Sequence, residues 1–418
     1  MNTSSSPLSS SQRTTCRACD SGSLEVVLAL APSPVGDAYV SEEQLETAQE
    51  IYSLDLSLCQ NCSLPQLTQV VSPEILYGNF LYTTSVSLGL VEHFRQYATD
   101  MIRLLGKTSG NLAVDIGSND GTLLKFFQKQ GMEVLGVEPA SAIAQDATSR
   151  GIETLPALFT PEIADQIRRT HGPATLVTSN NTLANVDDLQ GFVGSVRSLL
   201  RDDGLFVFET GYWSDIVDNL LFDTIYHEHL CYFSVRSLER LFERHGMQLI
   251  EVSNLTTKGG SIRGIVQLDT GTRPVSASVD HMLELEERKG MLRSASLTPF
   301  AERVNRVKSS VSEVIAELKS QGETIVGFGA SVGVTTLLYY FDIGDNLDFL
   351  VDDNPVKQGL YSPGYHLPVH DSSRLLESRP GYVLILSWRY ADPIIAKNQP
   401  YLDQGGHFIR FLPSLEVL

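Results

Sequence analysis

The chain of 418 residues lacks an apolar run near the ~20 residues needed to cross a bilayer, so no membrane-spanning segment is expected. Basic residues are also few. Thirty-one Lys and Arg stand against 50 Asp and Glu, and the net charge of −19 argues against a nucleic-acid-binding protein, which needs basic patches for phosphates. The first residues, MNTSSSPLSSSQRTT, contain no hydrophobic segment of a secretory signal. We therefore expect a disordered tail over residues 1–15 and a cytoplasmic protein.

Cysteine is scarce but informatively placed, because four of the five cysteines form two CxxC pairs, Cys16 with Cys19 and Cys59 with Cys62. Four thiolates at this spacing suit a tetrahedral zinc site that has no open position and is therefore structural. Unrelated cysteines or two disulfides are the alternatives, and the missing export signal favours reduced thiols and a metal. We predict a zinc-binding domain over residues 16–72, with strands at 24–30 and 52–59.

The rest of the chain has the pattern of an α/β protein. Strand-like and helix-like segments alternate over residues 111–210, which is typical of a doubly wound Rossmann-like sheet, and we place this central domain at residues 73–285. A charge-rich helical arm over 276–320 leads to a second strand–turn–helix unit that starts at residue 324. We predict a C-terminal Rossmann-like domain, including most of the arm, over residues 286–418.

The turn after the first strand of the central domain, AVDIGSNDG (113–121), is a candidate cofactor loop. Its glycines allow the backbone to approach a ligand, and a carboxylate at the end of the next strand can accept hydrogen bonds from both ribose hydroxyls. The spacing is not the dinucleotide fingerprint, and the combination resembles the S-adenosylmethionine motif of Rossmann-like methyltransferases. An ordinary tight turn is the alternative. The predicted donor-binding residues are Asp115, Gly117, Asn119, Asp120, Gly121, Glu138 and Asn181.

The segment FDTIYHEHLCYFS (222–234) contains four successive residues with acid–base chemistry, Tyr226, His227, Glu228 and His229. Such a run is costly in a plain strand, because alternation would bury half of it without partners. We therefore place it in a loop at the carboxyl edge of a sheet. A histidine there can abstract a proton, and a tyrosine can donate to a developing oxyanion. Ordinary structural histidines or a second metal site are the alternatives, although the i, i+2 spacing differs from helical zinc motifs.

The C-terminal unit contains a second glycine-rich turn, VGFGA (326–330), and Asp352 and Asp353 at the end of its next strand. These features are compatible with an NAD-dependent oxidoreductase, which is a rival interpretation from another class. That interpretation leaves the first cofactor loop and the acid–base run unexplained. A non-catalytic zinc scaffold is a third alternative.

The order of these motifs, together with KGGSIRG and DDNPVKQGLYSPGYHLPV, is similar to that of the zinc-containing sugar C-methyltransferases. These enzymes act on C-3 of nucleotide-linked 4-keto-deoxysugars in antibiotic biosynthesis. The resemblance runs from about residue 16 to the C-terminus. It implies S-adenosylmethionine and zinc as cofactors, a sugar nucleotide enclosed by the C-terminal domain, and methylation of an enolate formed next to a ketone. It also implies that His229 is the base, that Tyr226 and Glu228 assist it, and that Tyr82 is a further active-site aromatic.

The sequence departs from the family pattern in segments expected to face the acceptor. Where the family usually has His, His, Lys, Asn and Tyr, this chain has Asn185, Lys258, Gly333, Arg389 and Phe80. A small-molecule acceptor other than a sugar nucleotide, such as a non-sugar carbonyl compound, is therefore kept as an alternative. The predicted substrate-binding residues are Lys258, Arg263, Asn185, Arg389 and Lys357.

Overall fold

The computed structural model describes residues 9–77, 89–106 and 108–418. Its N-terminal part is a small β lobe. Strands β2, β3 and β4 form an antiparallel sheet, and β1 pairs with β5. The elements of this lobe are β1 (Ser10–Gln12), β2 (Leu24–Ser33), β3 (Tyr52–Cys59), β4 (Pro65–Leu67), β5 (Gln69–Val71) and α1 (Pro73–Tyr77).

Residues 10–12 form strand β1, although a disordered tail was predicted over residues 1–15. Ser10–Gln12 pair antiparallel with Gln69–Val71, and the Gln12 side-chain amide donates to Thr68 Oγ1 at 2.8 Å. Small polar side chains at an exposed sheet edge can form a ladder without burying an apolar face. Such a strand carries no hydrophobic alternation by which a sequence pattern can reveal it.

The central domain is a seven-stranded sheet in the order β11-β12-β10-β9-β6-β7-β8. Strands from β10 to β8 run parallel, while β12 pairs antiparallel with both β10 and β11. The elements are α2 (Leu90–Leu105), β6 (Leu112–Ile116), α3 (Thr122–Lys129), β7 (Glu133–Val137), α4 (Ser141–Ser149), β8 (Thr154–Leu155), α5 (Pro161–His171), β9 (Ala174–Asn180), α6 (Leu189–Leu199), β10 (Leu200–Gly211), α7 (Trp213–Asp218), α8 (Val235–Arg244), β11 (Met247–Leu255), β12 (Ser261–Leu268) and α9 (Ala277–Lys289).

The order of connections explains where a ligand can bind. The chain builds β6, β7 and β8 outward on one side and then returns to add β9 and β10 on the other, so the switch point lies between β6 and β9. The loops at the carboxyl ends of two such strands diverge and leave a crevice. Strand β6 is buried along its whole length, as expected of a parallel strand covered on both faces.

The C-terminal domain contains a six-stranded sheet in the order β15-β14-β13-β16-β17-β18, parallel except for β18. Its elements are α10 (Ser294–Ser320), β13 (Ile325–Phe328), α11 (Val332–Phe341), β14 (Leu350–Val351), β15 (Val369–His370), α12 (Arg374–Ser378), β16 (Tyr382–Ile385), α13 (Ala391–Lys397), α14 (Gln399–Asp403), β17 (His407–Arg410) and β18 (Glu416–Val417). No helix in the described ranges is both long and apolar enough to cross a membrane.

The predicted helical arm is two helices that belong to different domains. Helix α9 packs on β11 of the central sheet, and its buried Glu286 accepts hydrogen bonds from Tyr212 Oη at 3.0 Å and Val235 N at 2.6 Å. The chain then turns at Gly290, whose φ of +69° is in the left-handed region, before α10 begins. The turn lies four residues after the predicted boundary at residue 286.

Candidate active site

The cofactor loop lies at the switch point of the central sheet, between β6 and α3. Gly117 has a φ of +73°, and a Cβ at this position would lie 2.1 Å from Thr182 Oγ1. Gly121 has the same φ, and its Cβ would meet the Ile152 side chain at 2.9 Å. Only glycine fits at these two points, since other residues would combine an unfavourable backbone conformation with a clash.

Glu138 organises the loop from the end of β7. Its Oε2 accepts a hydrogen bond from Asn119 N at 3.0 Å, and its Oε1 accepts one from Ala140 N at 2.9 Å. Each carboxylate oxygen can accept a second bond, so Glu138 retains the capacity to receive the two hydroxyls of a ribose. The side chain is buried, and desolvation raises the pKa of its carboxyl.

The neighbouring predicted donor-binding residues mainly shape the crevice. Asp115 accepts a hydrogen bond from Thr178 Oγ1 at 2.6 Å, and burial raises the pKa of its carboxyl to about 7. Asp120 Oδ1 accepts from the Thr122 hydroxyl at 2.6 Å, at the start of α3. Asn181 has a φ of +56°, and its N–H donates to the Glu209 carbonyl at 2.8 Å.

Two buried serine hydroxyls lie near the switch point, one just after β6 and one near the end of β9. Ser118 Oγ and Ser179 Oγ have no hydrogen-bond partner among the described residues. Ser179 ends the pairing of β9 with β6, where it lies opposite Ile116. Buried hydroxyls without partners are unfavourable, and a bound nucleoside or amino-acid group would supply partners. The crevice therefore fits the donor that the sequence predicted.

The acid–base run lies in the loop between α7 and α8, beyond the carboxyl end of β10. His229 Nδ1 is 3.0 Å from the Thr224 carbonyl oxygen, so this nitrogen must carry the proton that is donated. Nε2 of the neutral ring is then the acceptor, and it lies 2.9 Å from Tyr226 Oη. The two ring centroids are 4.1 Å apart, and the ring planes are tilted by 31°. Burial lowers the pKa of His229 to about 4, so the ring is neutral near pH 7.

His227 points away from this pair, towards the N-terminal lobe. The His227 ring contacts the Tyr52 ring edge-on and lies 3.4 Å from the Tyr52 carbonyl oxygen. Burial lowers the pKa of His227 to about 4 and raises the pKa of Glu228 to about 7. Because the two histidines bond to different parts of the fold, they do not form a metal site together. Among the described residues, the cysteine cluster is the group whose ligand atoms converge.

The predicted substrate-binding residues are spread over four places. Arg389 pairs with Asp223 at 3.1 Å, and Arg389 and Lys258 both line a cleft of about 590 Å³ between the central and C-terminal domains. Lys357 pairs with Asp37 of the N-terminal lobe at 2.6 Å. Asn185 ends a short 3₁₀ helix after β9.

Arg263 lies in a charged cluster that sequence reasoning missed. It pairs with Glu209 at 2.6 Å and stacks on the Tyr97 ring at 4.1 Å. The same carboxylate contacts His93 Nε2 at 2.8 Å. Glu209, at the carboxyl end of β10, thereby ties β12 to α2 beside the donor crevice. Tyr82 and Phe80 lie outside the described residues.

The four predicted zinc ligands converge as expected. Their sulfur atoms lie within 4.8 Å of one another, with Cys16 and Cys62 3.4 Å apart and Cys19 and Cys59 3.6 Å apart. Distances of this order are those of thiolates sharing one tetrahedral ion. The fifth cysteine, Cys231, is buried in the same apolar cluster, but it is not among the four cysteines whose sulfur atoms converge.

The turn of the C-terminal domain does not present free groups to a nucleotide. Ala330 N donates to Asp352 at 2.6 Å, and a Cβ on Gly329 would lie 2.2 Å from Ser387 Oγ. The Thr335 hydroxyl in α11 donates to the Gly36 carbonyl at 2.8 Å, so the N-terminal lobe covers the start of this helix. This geometry gives no support to the oxidoreductase interpretation.

Comparison with protein families now defines the class. Three family models match consecutive parts of the chain: "Putative zinc binding domain" over residues 16–77, "Methyltransferase domain" over 91–252 and "C-methyltransferase C-terminal domain" over 256–413. A doubly wound domain with a donor crevice and a four-cysteine lobe is thus an S-adenosylmethionine-dependent methyltransferase with a zinc-binding domain.

One curated relative fixes the family more closely. The chain is 33% identical over 404 residues to C-methyltransferase NovU of Streptomyces niveus, and the match covers 96% of each chain. The chain therefore belongs to the C-methyltransferase family, as its sequence motifs predicted. Its cofactors are S-adenosylmethionine and zinc.

Solved structures match part of the chain, and only distantly. An S-adenosylmethionine-dependent methyltransferase from Anabaena variabilis is 16% identical, with a TM-score of 0.34, and the match covers 42% of this chain and 84% of that one. Magnesium protoporphyrin IX methyltransferase from Synechocystis is 12% identical, with a TM-score of 0.33. This match covers 46% of this chain and 88% of that one. The family assignment does not rest on these likenesses.

Proposed function

We propose that this enzyme removes a proton from the carbon next to a ketone and methylates the resulting enolate, on a nucleotide-linked 4-keto-deoxysugar in natural-product biosynthesis. The observation that carries the proposal is the state of His229. Its Nδ1 donates to the Thr224 carbonyl, so Nε2 is an unprotonated acceptor near pH 7. An imidazole held in one tautomer is a general base, as carbon deprotonation requires.

Tyr226 supplies the second element of this chemistry. Its hydroxyl is within 2.9 Å of the basic nitrogen, so an acceptor carbon next to Nε2 would place its carbonyl oxygen close to the same hydroxyl. As the proton moves to Nε2, negative charge moves to that oxygen, and Tyr226 can donate to it. Base catalysis contributes about 10²–10⁴-fold, so oxyanion stabilisation must contribute as well.

The crevice around Glu138 would hold the methyl donor. When bound there, S-adenosylmethionine supplies the methyl group as an electrophile. Glu138 would hold the ribose, Gly117 and Gly121 would allow close backbone approach, and the hydroxyls of Ser118 and Ser179 would gain partners. All these contacts belong to binding, so the donor should bind independently of the base.

The cleft between the central and C-terminal domains supports an anionic acceptor. Lys258, Arg303 and Arg389 line it together with the aromatic side chains of Trp388 and Tyr390. Cations suit a diphosphate, and aromatic rings suit a nucleobase. Asp218 also lines the cleft, and Arg389 is paired with Asp223.

A transfer assay tests the function. We expect the wild type to methylate a 4-keto-deoxysugar nucleotide and His229→Asn to lose turnover while it still binds S-adenosylhomocysteine. His245→Asn is the matched control, because His245 bonds to Gln190 at 2.7 Å away from the loop. Turnover of a non-sugar ketone with no turnover of the sugar nucleotide would replace the proposed acceptor. Full activity of His229→Asn would reject the proposed base.

A further inference from the structure

The Thr224 carbonyl decides which nitrogen of His229 is basic. Because it can only accept a hydrogen bond, it keeps the proton on Nδ1 and leaves Nε2 free to face Tyr226. If this carbonyl moved away, the proton could occupy either nitrogen of the neutral ring. The position of a single peptide group thus controls the base, and the contacts that fix it become part of the catalytic arrangement.

The peptide at Thr224 is fastened from the C-terminal domain on both sides. Thr224 ends the short 3₁₀ helix Phe222–Thr224. On one side, the Asp223 carboxylate pairs with Arg389 at 3.1 Å. On the other side, the Ile225 carbonyl accepts a hydrogen bond from the Thr336 hydroxyl at 3.0 Å. The segment that holds His229 is therefore held in turn by residues more than a hundred positions further along the chain.

The Asp223–Arg389 pair is the stronger of these attachments. The Asp223 side chain is only 5% exposed, whereas Arg389 is 29% exposed at the wall of the cleft. A buried carboxylate depends on its cation, and loss of one partner leaves an uncompensated buried charge. The segment would then relax by moving Asp223 toward solvent or by protonating it, and either change disturbs the adjacent peptide.

We propose that Arg389 is a positioning residue, which acts through Asp223 to hold the Thr224 carbonyl against His229 Nδ1 and so keeps Nε2 as the basic nitrogen. This proposal rests on the proposed role of His229. It differs from the prediction that Arg389 binds substrate, because it links Arg389 to the base through protein contacts alone. A residue of the C-terminal domain thereby completes an active site that otherwise belongs to the central domain.

The test combines kinetics with ¹⁵N NMR of protein labelled at histidine, in which the two ring nitrogens report the tautomer. The His229 signals are assigned by their loss in His229→Asn. In Arg389→Gln we expect the Nε2–H tautomer to become populated and kcat to fall about 10–100-fold, with unchanged affinity for S-adenosylhomocysteine. Arg389→Lys should recover part of kcat. The double variant Arg389→Gln/Asp223→Asn should recover more than Arg389→Gln alone, because it leaves no unpaired buried charge.

Arg303→Gln is the matched control for charge in the cleft. Arg303 lines the same cleft but donates to the carbonyls of Val217 and Asp218, so its loss should leave the His229 signals unchanged. A wild-type nitrogen pattern or an unchanged kcat in Arg389→Gln would overturn the proposal. Failure of the proposed function has a different signature. In that case His229→Asn would retain transfer, whatever the tautomer in the Arg389 variants.

Discussion

At the scale of single residues, burial sets the charge state of the site. Burial lowers the pKa of His229 to about 4 and raises the pKa of Asp115 to about 7, so near neutral pH the base is uncharged and the donor crevice holds a partly protonated carboxyl. Each state suits its place. An uncharged imidazole can accept a proton. A protonated Asp115 carboxyl can be buried beside Thr178 without a counter-ion.

Asp115→Asn should change the pH dependence of stability. The folded-state pKa of Asp115 lies above its unfolded value, so the associated stabilisation is complete below about pH 4 and is lost as the pH rises through 7. The neutral amide does not lose it, so the variant should be more stable than the wild type by about 4 kcal/mol at pH 8.5, with little difference at pH 4. Denaturant titration at both values measures this. Asp165→Asn, at an exposed position in α5, is the control. A difference that does not depend on pH would contradict the account.

Tyr226→Phe should isolate the role of the hydroxyl. Removal of one donor to a developing oxyanion costs about 10²–10³-fold in kcat, and we expect a loss of this size with donor binding intact. Tyr401→Phe is a suitable control, because this buried hydroxyl donates to the Pro380 carbonyl at 2.9 Å, within the C-terminal domain. Equal losses in both variants, measured as methyl transfer at saturating donor, would mean that Tyr226 has only a packing role.

The sequence revealed the residues that form an unusual motif. It did not reveal residues whose importance comes only from a contact with a distant part of the chain. Four acid–base residues in a row are visible in any sequence. Asp223 is ordinary until the fold brings it to Arg389, 166 positions away, and the same holds for Arg17 and Asp187, 170 positions apart. Pairs at such separations are set by tertiary packing, on which a local pattern carries no information.

At the scale of elements, helix α11 packs closely against the catalytic loop. Gly333, in the first turn of α11, packs against the backbone of Asp223, and a Cβ on it would lie 2.4 Å from the Asp223 carbonyl oxygen. The apolar strands of both sheets were predictable from periodicity, as in β6, β9 and β13. The close approach of α11 to the catalytic loop could not be predicted from the sequence, because it depends on Gly333 having no side chain.

Gly333→Ala should therefore separate helix propensity from packing. Alanine normally stabilises a helix relative to glycine by about 1 kcal/mol, but here its methyl group must displace the catalytic loop, and overpacking costs about 1–3 kcal/mol. We expect a lower thermal midpoint and slower transfer. Gly194→Ala in α6 is the matched control, since its Cβ would meet only His245 Nδ1 at 3.8 Å, and it should raise the midpoint. If both variants are stabilised, α11 does not hold the loop.

At the scale of the whole molecule, the zinc lobe is part of the active-site framework. Strand β4 hydrogen-bonds to the segment that follows the acid–base run, with Leu67 N donating to the Leu230 carbonyl at 3.0 Å and Tyr232 N to the Pro65 carbonyl at 2.9 Å. Arg17, between two of the cysteines and fully buried, reaches Asp187 of the central domain at 2.9 Å. The lobe thus supports the segment that follows the catalytic loop.

Removal of zinc should consequently reduce activity as well as stability. Small lobes of this kind depend on their metal for folding, so chelation or Cys59→Ser should release β4 from residues 230–232 and abolish methyl transfer. Zinc content and transfer rate are measured on the same samples. Cys231→Ala, at a buried cysteine outside the cluster, should retain the metal. Full transfer by zinc-free protein would show that the lobe does not support the catalytic loop.

The central claim is that His229 creates a carbanion on the acceptor before methyl transfer. The most direct measurement is deuterium incorporation into a 4-keto-deoxysugar nucleotide in heavy water, with S-adenosylhomocysteine in the donor crevice so that transfer cannot occur. We predict exchange at one carbon next to the ketone in the wild type and none in His229→Asn, with donor-site binding equal in both. Exchange that persists in His229→Asn, or methyl transfer by a wild type that shows no exchange, would contradict the claim.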